Sequence, residues 1–333
     1  LSSSGAVRTS LCSLGLALVL LAPLALALPP SAQKRLRNRA EVDAQLEQLV
    51  AGAPVPTTLS RLRYVGEGEY AAERIQLYLR KAVDERTRRN LTAVLAGLEA
   101  RGAEPLLVRL ASDGDSPVRM YAAQGLGKLR SRRVDVLMPL LEDKSNGVRK
   151  EAAKALGLSG NPKVGKALVT LARTEPEPEV RAELLAAVGR VGDVKQVDTL
   201  KEFLNSDSES TRFAAARGLC HLGAPEGFAF AKKLLGSPDR FVRRQGLELY
   251  EGVSAKKAGP SLRPLLDDPD RSLAAGSARI LYQGGEPKML EWLVLASFNA
   301  QGEDKLIYEK ELEGLRLADD QRNAILRKVG AIQ

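Results

Sequence analysis

The sequence predicts an all-α fold, a right-handed α-solenoid of about six to seven helical hairpins closed by atypical caps. Three observations predict it. Arginines stand at 119, 149, 181, 212 and 243, at intervals of 30, 32, 31 and 31 residues. Each lies six residues after a polar, mostly acidic turn position, and each opens an apolar pattern of helical period. The chain of 333 residues is 44% hydrophobic but only 4% aromatic, which suits short helices of Leu, Ala and Val better than a sandwich or barrel. Self-similarity at this period is the signature of stacked repeats, each unable to bury its apolar face alone.

The elements follow in chain order. Arg8 precedes an apolar run from Leu14 to Leu28, then Pro29 and Pro30. Ala25-Leu26-Ala27 is an A-x-A cleavage pattern, with a second ending at Ala32. Residues 1–27 therefore read as a secretory signal peptide, with 32 as the alternative end. Leu1 in place of Met fits a translated alternative bacterial start codon, the favoured reading, or a fragment. The expected location is the periplasm or cell envelope. The competing reading is an inner-membrane anchor over residues 11–28, against which Pro23 and the shortness of the run argue. Lys34, Arg35, Arg37 and Arg39 outweigh the single early charge, which is unusual for export. Cys12 is too early for a lipobox.

Residues 34–70 read as an N-terminal helical cap and linker: a short helix from Val42 to Val50, then Gly52 and Pro54-Val55-Pro56. The repeat array covers 71–298. Its first repeat is worn, with one helix near 71–83 and a second behind Arg88, carrying Leu91, Leu95 and Leu98. Five regular repeats follow, and a sixth has Ala274 where the arginine belongs. Met289 to Phe298 reads as a final first helix. Residues 299–333 read as a C-terminal helical cap, polar from Gly302 to Gly314, with Ala318-Asp319-Asp320 capping a last helix to Lys328.

Within a repeat, helix A ends in an apolar pair such as Leu140-Leu141, and a turn of Asp, Ser, Gly and Pro reverses the chain. Counted from each arginine along helix B, small or apolar residues fall three, four and seven places on, as at Ala152, Ala153 and Leu156. Eight places on stand Gly127, Gly157, Gly189 and Cys220. Glycine inside a helix is costly unless close approach requires it, so this position is expected to touch the neighbouring repeat. Eleven places on, Gly160, Gly192, Gly223 and Gly285 are expected as C-caps.

The turn acid, the Val-Arg start of helix B (Val118-Arg119, Val148-Arg149, Val180-Arg181, Val242-Arg243), the alanine pair and the late Leu-Gly resemble the HEAT-like repeats of the phycobilisome-lyase type. The resemblance covers residues 71–298. It implies a binding surface of stacked hairpins, with arginine–acid contacts forming an inter-repeat ladder of Arg119, Arg149, Arg181, Arg212 and Arg243. Bilin lyases of this type act on antenna proteins in the cytoplasm, which conflicts with the expected export. The similar deoxyhypusine hydroxylases use His-Glu pairs as iron ligands, and no such pair exists here.

Function is less legible. The net charge of +9 comes with both signs interspersed, so nucleic acid is disfavoured as a partner. No catalytic constellation, P-loop, dinucleotide fingerprint or metal spacing is present, so no cofactor or metal is expected. Positions five and nine after the arginine form a stripe on helix B, with Lys128, Lys154, Arg190, Arg217, His221 and Arg279 as candidate partner-binding residues. In solenoids of this class, helix B lines the concave face. The leading expectation is a non-enzymatic scaffold or adaptor binding a protein there. The alternatives are a lyase-type enzyme or accessory protein, and binding of anionic glycan or lipid head groups at the stripe. His221 is the only histidine, and Cys220 beside it reads as a buried structural thiol.

Overall fold

The computed structural model describes residues 28–81, 84–315, 317 and 319–332. The segment read as a signal peptide or anchor, with Cys12, lies outside the described residues apart from Leu28. Every regular element among the described residues is helical. The chain divides into two compact units, residues 1–129 and 130–333.

The first unit contains α1 (Pro30–Val50), α2 (Val55–Val65), α3 (Gly68–Arg80), α4 (Glu85–Leu98), α5 (Glu104–Leu110) and α6 (Ser116–Lys128). Helix α1 is longer than the sequence pattern suggests. Only Val42, Leu46 and Leu49 are buried along it, so apolar periodicity marks just its second half. Pro30 fits at its first position, where no backbone donor is needed. The same rule explains α2. The Pro54-Val55-Pro56 stretch, expected as linker, starts a helix because proline is tolerated in a first turn. Asp84 caps α4, its carboxylate accepting from the Thr87 amide at 2.9 Å.

The second unit runs α7 (Val134–Leu137), α8 (Asn146–Ser159), α9 (Gly165–Thr174), α10 (Pro178–Val191), α11 (Val197–Phe203), α12 (Glu209–Leu222), α13 (Pro225–Leu235), α14 (Arg240–Glu248), α15 (Ala255–Leu262), α16 (Arg271–Gln283), α17 (Lys288–Asn299), α18 (Gly302–Gly314) and α19 (Asp319–Lys328). The first helices of the hairpins are short for legible reasons. Pro139 follows α7 and Pro264 follows α15, and each turns the chain into a 3-10 segment.

The second helices stack directly, α8 on α10 and α10 on α12. Ala152, Ala153, Leu156, Ala187, Ala215 and Leu219 have no exposed surface, as the three-four-seven spacing requires. Glycine sets the closeness of the stack. A Cβ on Gly189 would lie 2.5 Å from the Gly218 Cα, and one on Gly157 3.0 Å from the Ala187 Cα. Gly160, Gly192 and Gly223 end their helices with φ of 64°, 78° and 84°. The worn final repeat ends one residue early, with Gly284 as the cap and the positive φ shifted to Gly285. The polar stretch after residue 301 is helix α18, which packs on α16 and α17 through Tyr308 and Leu312.

Candidate functional site

The arginine series opens the second helices. In each, the guanidinium donates back to a turn carbonyl six residues earlier. Nη1 of Arg119 reaches the Asp113 carbonyl at 2.8 Å, Arg149 that of Asp143 at 2.9 Å, and Arg212 that of Ser206 at 2.7 Å. Arg181 donates through Nε and Nη2 to the Glu175 carbonyl at 3.0 and 2.7 Å. Arg243 reaches the Ser237 carbonyl at 3.3 Å. The carboxylate contacts run forward, to the turn of the next repeat. Arg149 forks onto Glu175, and Arg243 meets Asp270 at 2.9 Å. The acid of each arginine's own turn instead accepts from a backbone amide two residues on, as Asp143 does from Ser145.

The residues five and nine places on have diverse surroundings. Lys128 is exposed at the end of α6 in the first unit. In the second unit, Lys154 is exposed. Arg190 is half-buried and pairs with Glu183. Arg279 is held at 2.5 Å by both Glu251 and Glu311. Burial opposes its charge, but the hydrogen bonds and charges of those two acids outweigh that and raise its pKa. Arg217 is half-buried and has no ion-pair partner among the described residues, its Nε being buried without a hydrogen bond. His221 is held neutral, its pKa pushed down to about 4 by burial and then by the charges of Arg190, Arg217 and Lys257. Cys220 has no exposed surface, and burial pushes its thiol up to about 12.

A concavity of the second unit crosses four second helices, α8, α10, α12 and α14. It holds about 810 Å³ and is lined by Lys150, Ala182, Glu183, Phe213, Arg217, Glu248 and neighbours. The lining follows a register. Lys150, Ala182 and Phe213 stand one place after the arginine, Glu183, Ala214 and Gln245 two places after, and Ala186, Arg217 and Glu248 five places after. Positions one and five are a helical turn apart, so they form one face. Sequence reasoning selected places five and nine, and so reached Arg217 and Glu248 but not places one and two. The missed signal is the place directly after the arginine, held by Lys150, Ala182 and Phe213 in three successive repeats.

Charge in this groove is divided. Glu179, Glu183, Glu209 and Glu248 face it, against Lys150 and Arg217. Glu179 is tied to Lys150 at 2.5 Å, and that contact holds its carboxyl below the usual range. Phe213 with Ala182, Ala186 and Ala214 forms an apolar floor. Such a mixture, an apolar bed with a few placed polar groups, suits a small organic molecule. Among the described residues, no group of three or more His, Cys, Asp or Glu side chains is arranged to hold a metal ion.

The groove lies within the part of the chain that is similar to known proteins. A model of HEAT repeats matches residues 130–189 and 166–251, which contain the whole lining. Among curated proteins, phycocyanobilin lyase subunit alpha of Nostoc sp. (strain PCC 7120) is 27% identical over 180 residues, covering 51% of this chain and 58% of that one. The bilin biosynthesis protein PecE of the same organism is 28% identical over 133 residues, covering 36% and 53%. Phycocyanobilin lyase subunit alpha of Picosynechococcus sp. is 30% identical over 122 residues, covering 33% and 46%. The chain thus spans about half the length of the curated relatives it matches. Among solved structures, the complex of CpcE and CpcF of phycocyanin lyase from Nostoc sp. PCC7120 aligns with a TM-score of 0.54 at 20% identity, covering 73% of this chain and 94% of that one. That likeness shows the fold.

These findings correct two expectations. The chain was expected to be non-enzymatic, a scaffold of the envelope. Its curated relatives are lyase subunits and a bilin biosynthesis protein, which overturns the non-enzymatic reading. Location in the periplasm or envelope, or at the inner membrane, is withdrawn for the same reason, since bilin lyases of the type the sequence resembles act in the cytoplasm. Among the described residues, no helix is long and apolar enough to cross a membrane. Binding of glycan or lipid has no support in these likenesses. Residues 130–251 match HEAT repeats, and the chain is similar in fold and sequence to HEAT-like repeat proteins of the phycobilisome-lyase type.

Proposed function

We propose that this chain is a lyase-type HEAT-repeat subunit that holds a bilin in the groove across α8, α10, α12 and α14 and works with a protein partner. One observation carries the reading. The matched HEAT repeats, shared in type with proteins named for phycocyanobilin, enclose an apolar-floored groove of about 810 Å³. A ligand of several conjugated rings fits that size class. Phe213 and the alanines would take its faces, and the carboxylates would accept from its ring N–H donors.

The groove offers no thiolate. Among the described residues Cys220 is the only cysteine, and its thiol is buried and held protonated. The bilin is therefore held without a covalent bond, and its acceptor lies on another protein. The protein partner expected from the sequence enters here, as the subunit or acceptor that completes the reaction.

The test uses purified protein and phycocyanobilin. Binding in a chiral groove induces circular dichroism in the visible band, and denaturation releases all of the colour into solvent. Absence of an induced signal at tens of micromolar bilin, with the helices intact, contradicts the proposal. Colour that stays on the denatured chain contradicts its non-covalent part.

A further inference from the structure

Arg217 is the groove cation left without an acid. Lys150, the other, is bound to Glu179. Arg217 lines the groove from α12, yet no carboxylate pairs with it, and its buried Nε has no partner among the described residues. A buried guanidinium nitrogen without an acceptor is costly, and native structures rarely leave one so unless a ligand supplies the acceptor.

Its surroundings concentrate the charge. Arg190 on α10 stands one turn beyond the groove floor, pairs with Glu183 and also keeps an unpartnered buried Nε. Lys257 comes in from α15, donating to the His221 carbonyl at 2.9 Å. Three cations thus act on the His221 ring, which burial first and then their charges keep unprotonated. Glu183 neutralises part of this field, while Glu209 and Glu248 lie among the rest of the lining. The groove is therefore polarised, with cations gathered around His221.

We propose that Arg217, supported by Arg190 and Lys257, is the subsite for a carboxylate carried by the groove's occupant. This rests on the bilin reading above and deepens it, because a linear tetrapyrrole carries two propionate side chains. Arg217 supplies a planar pair of donors, the geometry that a carboxylate accepts bidentately. The apolar floor at Phe213 takes the conjugated body, and the cationic cluster fixes which way round it lies.

The experiment compares biliverdin, with free propionates, and its dimethyl ester, using induced circular dichroism on the full chain. The wild type is expected to bind the free acid about tenfold or more tightly than the ester. Arg217→Gln should remove that preference, while Arg217→Lys keeps part of it. The ring signal of His221, the only histidine in the sequence, reports the location directly. It should move in NMR spectra when the free acid is added, and far less with the ester. Equal affinity for acid and ester, or an unmoved His221 signal, overturns the carboxylate subsite while leaving the bilin groove intact. Failure of both ligands to bind overturns the bilin reading and the subsite with it. Far-ultraviolet dichroism and the unfolding midpoint of Arg217→Gln show that the variant is folded.

Discussion

Nε and Nη2 of Arg149 donate to the two carboxylate oxygens of Glu175 at 2.9 and 2.7 Å, joining the start of one repeat's second helix to the turn of the next. The pair is largely shielded, with side-chain exposures of 15% and 7%, which separates it from surface ion pairs of little worth. Burial raises the Glu175 pKa, but the Arg149 hydrogen bonds, the Glu177 amide and the charges of Arg149 and Arg181 outweigh it, so the net shift is downward.

That relation gives the first prediction. A carboxyl with a lowered folded pKa stabilises above its unfolded value, and the contribution is lost as pH falls through the folded value. Glu175→Ala should cost about 2–4 kcal/mol at pH 7, because it strands a shielded guanidinium. Glu175→Gln should lose less and should flatten part of the acid limb below about pH 4.5. Urea denaturation of each variant at pH 7 and pH 3.5 measures both effects.

Close helix approach gives the second. Gly189→Ala gains helix propensity of about 1 kcal/mol but places a methyl 2.5 Å from the Gly218 Cα, a clash that backbone must move to relieve. Net destabilisation of about 1–2 kcal/mol is expected. Gly160→Ala meets no neighbour but is strained by its φ of 64°, and should cost about 1 kcal/mol. Thermal unfolding followed at 222 nm ranks the two.

His221 gives the third. Its folded pKa of about 4 lies below the ordinary 6.5, so the unfolded chain binds the proton first as pH falls. Stability should therefore decline between about pH 6.5 and pH 4 and stop declining on this account below that. Between pH 7 and pH 5 the loss is about 1–2 kcal/mol, and His221→Gln should abolish it. Urea midpoints at pH 7 and 5, where most carboxylates remain ionised, isolate the effect. Bound free-acid bilin should also reduce the slope, by screening the cations that hold the ring neutral.

Much of the fold was legible in the residues because repetition makes each rule visible several times. The spacing of Ala152, Ala153 and Leu156 from Arg149 marked the buried face, and Gly157 and Gly189 marked the close approach. The missed elements lacked a repeat to copy. Helix α2 hides behind Pro54 and Pro56, which resemble a linker when nothing shows that they begin a helix. Helix α18 has no apolar stripe of usual width, because only Tyr308 and Leu312 are buried along it. The groove was half legible. Arg217 was reachable from its register, but Phe213 follows Arg212 as an ordinary helical residue, and only the stacking of α8, α10 and α12 aligns it with Lys150 and Ala182. Nor could spacing alone show that Arg279 is engaged by Glu251 and Glu311 while Arg217 is left unpaired.

The central claim is that the groove across the second helices of the second unit is the bilin site. It is tested most directly by filling the groove from its floor. Ala186 lines it and is 5% exposed, pointing its methyl toward the space that the ligand would take. Phycocyanobilin titration by induced dichroism should show Ala186→Trp binding at least about tenfold more weakly than wild type, with the far-ultraviolet spectrum unchanged. Ala296→Trp, on α17 and away from the lining, should bind as wild type does. Undiminished bilin binding by a folded Ala186→Trp protein would contradict the account.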